Sequence, residues 1–319
     1  MTAQGRHAAP VSPTMRAIRL RAPGEPEGLA LEELETPKVE AGEALVRVHA
    51  AAITKDELGW PVDRLPATPS YEVSGEVVAM APDVNTVAIG ESVYALTGFD
   101  RDGAAADYVA IPAALLAPKP RSLDHVSSAA IPLAGLSAWQ GLFDHGQLEE
   151  GQRVLVLGAA GGVGHLATQL ARGRGAHVID SASPAGSQAA RDFGAHEVVD
   201  GSDAGRAGSL DPVDLVFDTV GGEALERSPA IIRDGGRLVS VADEPPEIPE
   251  DKRIEATYFL VEPNREQLVD LARLADRGDL RPAIDSGFPL GDARLAFQRS
   301  MERGKRGKVV LRVAEEIPA

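Results

Sequence analysis

The residues with the clearest chemical potential are Gly158-Ala-Ala-Gly161-Gly162-Val-Gly164, directly after the apolar run Val154-Leu-Val-Leu and directly before His-Leu-Ala-Thr-Gln-Leu-Ala-Arg. Glycines there let backbone approach a pyrophosphate closely, and the N-terminus of a following helix offers free N–H groups and the positive end of its dipole to that anion. Nucleotide binding is therefore the first chemistry the chain suggests. Other chemistries fall away quickly. The chain has no cysteine, which excludes disulfides, thiol catalysis and cysteine-based metal sites. None of its four tyrosines has a lysine four residues on, so the Tyr-x-x-x-Lys pair of short-chain reductases is absent. His145 and His165 are candidates by residue type, but His165 sits just past the glycine turn, where packing is the expected role.

Those glycines need a strand and a helix to hold them. Apolar β-branched runs recur at Val154–Leu157, His177–Ile179, Glu197–Val199, Asp214–Asp218, Arg237–Val241 and Ala256–Val261, with helical segments between them, the first over Gly162–Arg174. Six strands with helical crossovers describe a doubly wound parallel sheet. Residues 15–115 read differently, as short alternating strands closed by Gly, Pro and Asp turns. After the helix Arg265–Arg277 the chain returns to strand character and ends in Gly307-Lys-Val-Val-Leu-Arg-Val. That tail is expected to rejoin the first domain. The resulting fold class is α/β, with boundaries at 15–130 plus 280–319 for a β-rich domain, 131–279 for the dinucleotide-binding (Rossmann) domain, and 1–14 as a disordered arm.

With 319 residues the chain is long enough for two cored domains. A net charge of −16 disfavours nucleic acids and anionic membranes as partners. No apolar run is long enough for a bilayer, and residues 1–14 lack the apolar core of a secretory signal, so a cytoplasmic protein is expected.

From Met15 to Val313 the chain resembles the medium-chain dehydrogenase/reductase superfamily, in its zinc-free, quinone oxidoreductase-like branch. The markers come in order: Met15-Arg-Ala-Ile, Pro69-Ser-Tyr-Glu-Val-Ser-Gly75, Gly90-Glu-Ser-Val-Tyr-Ala, Leu133-Ala-Gly-Leu-Ser-Ala-Trp139, the glycine turn, Phe217-Asp-Thr-Val-Gly-Gly222, Gly235-Gly-Arg-Leu-Val-Ser and Arg306-Gly-Lys-Val-Val310. The resemblance implies that the β-rich domain is GroES-like. Zinc-dependent members carry ligands where this chain has Thr54, Tyr71 and Leu133, and those three types do not make a zinc site. The branch's usual Asn-Pro-x-Asp is replaced by Thr54-Lys55-Asp56-Glu57, so substrate class does not transfer from that motif.

The resemblance also assigns candidate residues. Ala160, Gly161, Gly162, Val163 and Gly164 would contact the pyrophosphate; Ser137, Val220, Gly221, Val241 and Ala242 would line the ribose and adenine; Phe259, Leu260 and Val261 would hold the carboxamide; Lys308 would lie near the cofactor or, equally, be a solvated strand-end lysine. Thr54, Asp56, Trp60 and Tyr71 would border the substrate, with Tyr71 the best proton donor by chemistry and a packed aromatic by default. Cofactor choice turns on Ser181, Ala182 and Ser183. An acid at position 182 would bind the ribose 2′-hydroxyl of NADH; Ala182 points to NADP(H), with Arg191 the available cation and Asp180 a competing acid on the same strand face. The expected activity is NADPH-dependent reduction of quinones or α,β-unsaturated carbonyls. The alternatives are an enoyl reductase of secondary metabolism, or a catalytically silent nucleotide-binding sensor or structural protein. An apolar sixth strand at the sheet edge predicts a homodimer.

Overall fold

A computed structural model describes residues 11–60, 63–200 and 210–314. The chain opens with an antiparallel hairpin, β1 (Thr14–Leu20) and β2 (Leu29–Glu35). Most of the expected N-terminal arm lies outside the described residues, but its end does not: Thr14 already pairs with Glu35.

Next come β3 (Glu43–Ile53), β4 (Glu72–Met80), β5 (Ser92–Leu96), β6 (Tyr108–Pro112) and the short β7 (Ala117–Pro118). The last two strands of the chain, β14 (Ile284–Pro289) and β15 (Lys308–Arg312), complete a seven-stranded sheet in the order β14-β15-β3-β4-β5-β7, with β6 pairing β3. The C-terminal tail thus returns to the first sheet, and β15 pairs antiparallel with β3, Val309 opposite Ile53. This is the GroES-like part of the fold.

The second sheet holds β8 (Arg153–Leu157), β9 (His177–Ala182), β10 (Glu197–Asp200), β11 (Val213–Asp218), β12 (Ile232–Ser240) and β13 (Glu255–Tyr258), all parallel, in the order β10-β9-β8-β11-β12-β13. Val154 to Leu157 are buried without alternation, as a central parallel strand covered on both faces requires. Helix α1 (His125–Ala129) and helix α2 (Pro132–Trp139) link the sheets; α3 (Gly164–Gly173), α4 (Ser187–Asp192), α5 (Gly222–Arg227) and α6 (Arg265–Arg277) follow, and α7 (Ala293–Met301) precedes β15. Asn264 caps α6 by accepting from Gln267 N at 3.1 Å, and Gly278 ends it in the left-handed conformation.

The fifth strand starts earlier than expected, at Ile232, and the second runs on to Ala182, but two other shifts bear on the site. Helix α3 starts at Gly164 rather than Gly162, which frees Gly161 and Gly162 for the turn itself. The sixth strand ends at Tyr258, so Phe259, Leu260 and Val261 lie beyond it rather than in it. Past the strand Gln140 holds the chain: its amide accepts from Glu262 N at 3.0 Å and donates to Glu262 O at 2.8 Å.

Candidate functional site

The glycine turn is a close-approach structure. Gly158 has φ +83°, a region that favours glycine, and its carbonyl accepts from Gly161 N at 2.9 Å. A Cβ on Gly164 would come to 2.3 Å from Gly158 O and 2.7 Å from Ala159 Cα, so α3 packs onto the strand end only because residue 164 has no side chain. At Gly162 the nearest atom to such a Cβ is Lys308 Cδ, at 3.0 Å. At Gly161 it is Gly158 O, at 3.1 Å. The turn therefore presents backbone, with α3 starting immediately behind it, and fits the pyrophosphate of a dinucleotide.

The neighbouring mouths of the parallel sheet complete this end. Asp218, fully buried, accepts from Val220 N at 3.1 Å, from Gly221 N and from Ser240 Oγ at 2.8 Å, which ties the ends of β11 and β12 together. Gly221 is buried below while Val220 and Ala242 are exposed and Val241 is half-buried. Ser137 is buried in α2; Phe259 is buried, Leu260 exposed and Val261 half-buried. Ser181 and Ala182 are buried at the end of β9, and Ser181 O accepts from Gly158 N at 3.2 Å. Ser183 is exposed.

The competing acid does not face this pocket. Asp180 is fully buried, and both its oxygens lie 2.9 Å from the Thr168 hydroxyl of α3. Burial pushes its pKa up to about 7, with the Thr168 hydrogen bond working against the rise. Arg191 donates weakly, at 3.4 Å, to Ser187 O of its own helix. Arg306 does what no local motif announced: its guanidinium donates to Ala185 O, in the loop after β9, while Arg306 N donates to Asp285 Oδ1 at 3.0 Å.

Residues 306–308 therefore tie the loop after β9, the glycine turn and the segment before β14 together. Gly307 N donates to Ala160 O at 3.0 Å, and Lys308 N donates to Ala283 O at 2.9 Å. His165 strengthens this seam. Its Nε2 accepts from Ala283 N at 2.9 Å, which makes Nδ1 the protonated nitrogen, donating to Gly161 O at 2.9 Å. Burial lowers its pKa to about 4, so the ring stays neutral and acts as a brace.

Beside the turn lies a buried charge cluster. Lys308 is 5 % exposed, so it is not a solvated lysine. Its Nζ donates to Glu72 Oε1 and, at 3.1 Å, to Thr54 Oγ1. Glu72 Oε2 accepts from Leu133 N at 2.9 Å. Glu57 is buried beside them on a single 3-10 turn, Glu57–Gly59. Burial holds its carboxyl well above the usual carboxylate range, with the Lys308 charge opposing. Thr54, Tyr71 and Leu133 offer no zinc donor set, and an ammonium already bonds Thr54 and Glu72. Zinc does not fit these residues.

Of the expected substrate residues, the structure groups Tyr71 and Trp60 and leaves Asp56 apart. Asp56 is exposed and faces Lys55 at 3.7 Å. Trp60, Tyr71 and Phe99 form an aromatic wall with centroids 5.3–5.7 Å apart. Tyr71 is fully buried, and its hydroxyl accepts from Arg64 Nη2 at 3.2 Å. Burial raises its pKa further, against the Arg64 charge. Glu57, Arg64, Phe99 and Arg306 were not singled out as site residues by the sequence. The available signal was a charged residue opening an apolar strand, as Glu72 opens β4 and Lys308 opens β15.

Comparison with known proteins agrees with this architecture. Residues 40–121 match the alcohol dehydrogenase GroES-like domain, and residues 193–311 match the zinc-binding dehydrogenase family. A probable zinc-binding oxidoreductase, mitochondrial, of Arthroderma benhamiae is 32 % identical over 95 % of this chain and 98 % of its own length. The NADPH-dependent alkenal/one oxidoreductase, chloroplastic, of Arabidopsis thaliana is 30 % identical over 86 % of this chain and 73 % of its own. The quinone oxidoreductase of Coxiella burnetii superposes with a TM-score of 0.86 at 30 % identity, covering 94 % of this chain and 100 % of its own. The glycine turn, the two sheets and these relatives together place the chain in the medium-chain dehydrogenase/reductase superfamily of oxidoreductases.

Proposed function

We propose that the protein is a metal-independent, NADPH-dependent reductase of quinones or α,β-unsaturated carbonyls. The observation that carries this reading is the cluster of Thr54, Glu72 and Lys308, which puts an ammonium and a hydroxyl, rather than metal donors, beside the glycine turn. Bound at the turn, the nicotinamide cofactor supplies a hydride. The chain's residues do the rest. Gly158–Gly164 hold the pyrophosphate, and Trp60, 38 % exposed and packed on Phe99 and the buried Tyr71, offers an apolar ring to a planar conjugated acceptor. The names of the Arabidopsis and Coxiella relatives point to the same substrate classes.

NADPH rather than NADH is supported by three placements: Ala182 where an acid would bind a 2′-hydroxyl, Asp180 turned onto Thr168, and Arg306 at the loop after β9. A homodimer is supported only by the place of β13 as the outermost strand of the parallel sheet, since the strand is four residues long and exposes Glu255 rather than an apolar face. Among the described residues no helix is long and apolar enough to cross a membrane. The test is cofactor oxidation with a panel of quinones and enones. Turnover with NADPH preferred is expected; binding of NADPH without turnover of any acceptor overturns the reading in favour of a silent nucleotide-binding protein.

A further inference from the structure

An ammonium buried at 5 % exposure needs only one carboxylate for neutrality, and Glu72 supplies it. The bond from Lys308 to Thr54 is an addition to that pair. Of the side chains in the cluster, Glu57, Glu72 and Lys308 are buried and Thr54 alone is half-exposed. A hydroxyl that accepts from an ammonium keeps its own O–H to donate, and the acceptance makes it a stronger donor. The stem of Lys308 lies against Gly162, so this donor sits next to the cofactor turn. Tyr71 also accepts from a cation, Arg64, but unlike Thr54 it is fully buried.

We propose that Thr54 delivers the proton of the reduction and that Lys308 is its source. The assignment rests on the reductase reading above. Reduction of a conjugated carbonyl adds a hydride to the β-carbon; the C=C pair shifts and the carbonyl π pair moves onto oxygen. The Thr54 O–H bond breaks toward that oxygen, giving the enol. One N–H bond of Lys308 breaks in the same event and re-forms the Thr54 hydroxyl. Lys308 is left as an amine beside the Glu72 carboxylate, and the one proton that the overall reaction consumes is taken up from solvent past half-exposed Thr54 to restore the ammonium. For a quinone the same transfer gives the hydroxy-dienone tautomer, which becomes the hydroquinone when the ring carbon loses its proton to solvent and the second carbonyl oxygen takes one up. Thr54 is the catalytic residue of this step; Lys308 acts through it and Glu72 positions Lys308.

The test uses the full chain with Thr54→Val, Thr54→Ser and Lys308→Arg. Arginine keeps the cation and its hydrogen bonds but does not release a proton. Both Thr54→Val and Lys308→Arg are expected to lower kcat by about 10²–10⁴-fold, the usual range for a lost acid, with KM little changed. Thr54→Ser should restore the rate. A second readout needs no turnover. 4-Nitrophenol bound to the NADP⁺ complex mimics the enol, and its visible absorbance reports ionisation. The wild type should stabilise the phenolate and shift its titration to lower pH; Thr54→Val should abolish the shift. Wild-type kcat in either Lys308→Arg or Thr54→Val, or the same nitrophenol titration in wild type and Thr54→Val, overturns the proposal alone. A wild type that binds NADPH and reduces no acceptor overturns the reductase reading and this proposal together.

Discussion

The cofactor turn and the charge cluster meet at one contact, Gly162 against Lys308, yet they hold charge by opposite means. Residues 158–164 offer backbone groups from one short segment. Thr54, Glu72, Leu133 and Lys308 come from four separate segments, and three of them act through side chains. A backbone site tolerates any ligand geometry that its turn allows. A side-chain site is fixed by partners that must all be present, so losing one strands the others. The two ends should therefore fail differently when perturbed.

The largest effect is expected at the cluster. Glu72→Ala removes the carboxylate from a pair whose side chains are 5 % and 1 % exposed. Leaving one buried charge unpaired costs about 3–5 kcal/mol. Urea unfolding should show a loss of that size, and a stability within error of the wild type would mean that Lys308 is solvated in solution.

At the turn the largest effect is steric. Gly164→Val sets a branched side chain where even a Cβ is 2.3 Å from a carbonyl oxygen. Backbone on both sides must move, at about 3 kcal/mol, and cofactor binding should vanish. Gly162→Ala separates the two effects, because its obstacle is the flexible Lys308 stem rather than backbone. It should fold normally and bind NADPH more weakly in calorimetry. Equal unfolding free energies for Gly164→Val and wild type would break the comparison.

What the sequence made legible follows the same division. The glycine turn was readable because one contiguous pattern specifies it, and so were both sheets, through their alternating and continuous apolar runs. The cluster was not. Thr54 was visible only through the resemblance, as a departure from a zinc-ligand pattern and a residue bordering the substrate, Glu72 only inside a family marker, and Lys308 had two equal readings. Its burial depends on β15 pairing with β3 across more than half the chain, which no local spacing encodes. Asp56 looked more exposed to chemistry than Glu57, yet the 3-10 turn buries the second and leaves the first in solvent.

Asp180 tests how the two domains' buried acids differ, since it has a hydroxyl but no cation. Its pKa is pushed up to about 7 by burial. An unfolded aspartate titrates near about 3.9. Between those values the unfolded chain releases a proton that the folded chain keeps, so wild-type stability falls as pH rises from about 4 to about 7, then levels. Asp180→Asn removes that fall, and its stability relative to wild type should improve by roughly 2–4 kcal/mol between pH 4 and pH 8. Parallel stability–pH curves for the two proteins would show that Asp180 is ionised in the fold.

The smallest expected effect is the most local to cofactor choice. Arg306 belongs to the segment that ends in Lys308, yet its guanidinium reaches Ala185 in the loop after β9, three residues past Ala182. A 2′-phosphate at the end of β9 would meet this guanidinium, and a 2′-hydroxyl would gain little from it. Charge-assisted hydrogen bonds contribute about 1.5–3 kcal/mol, so Arg306→Ala should lower the NADPH-to-NADH ratio of kcat/KM by roughly tenfold or more. The loss should appear against NADPH and leave NADH unchanged. Arg191→Ala should move the ratio less, because that guanidinium is turned back along its own helix onto Ser187 O rather than onto the loop after β9. Ala182→Asp should move it the same way as Arg306→Ala by a different route, adding a partner for the hydroxyl and a charge against the phosphate. A ratio unchanged by Arg306→Ala and lowered by Arg191→Ala would return the discrimination to the Rossmann domain. A wild type that already prefers NADH would remove the phosphate from this pocket altogether.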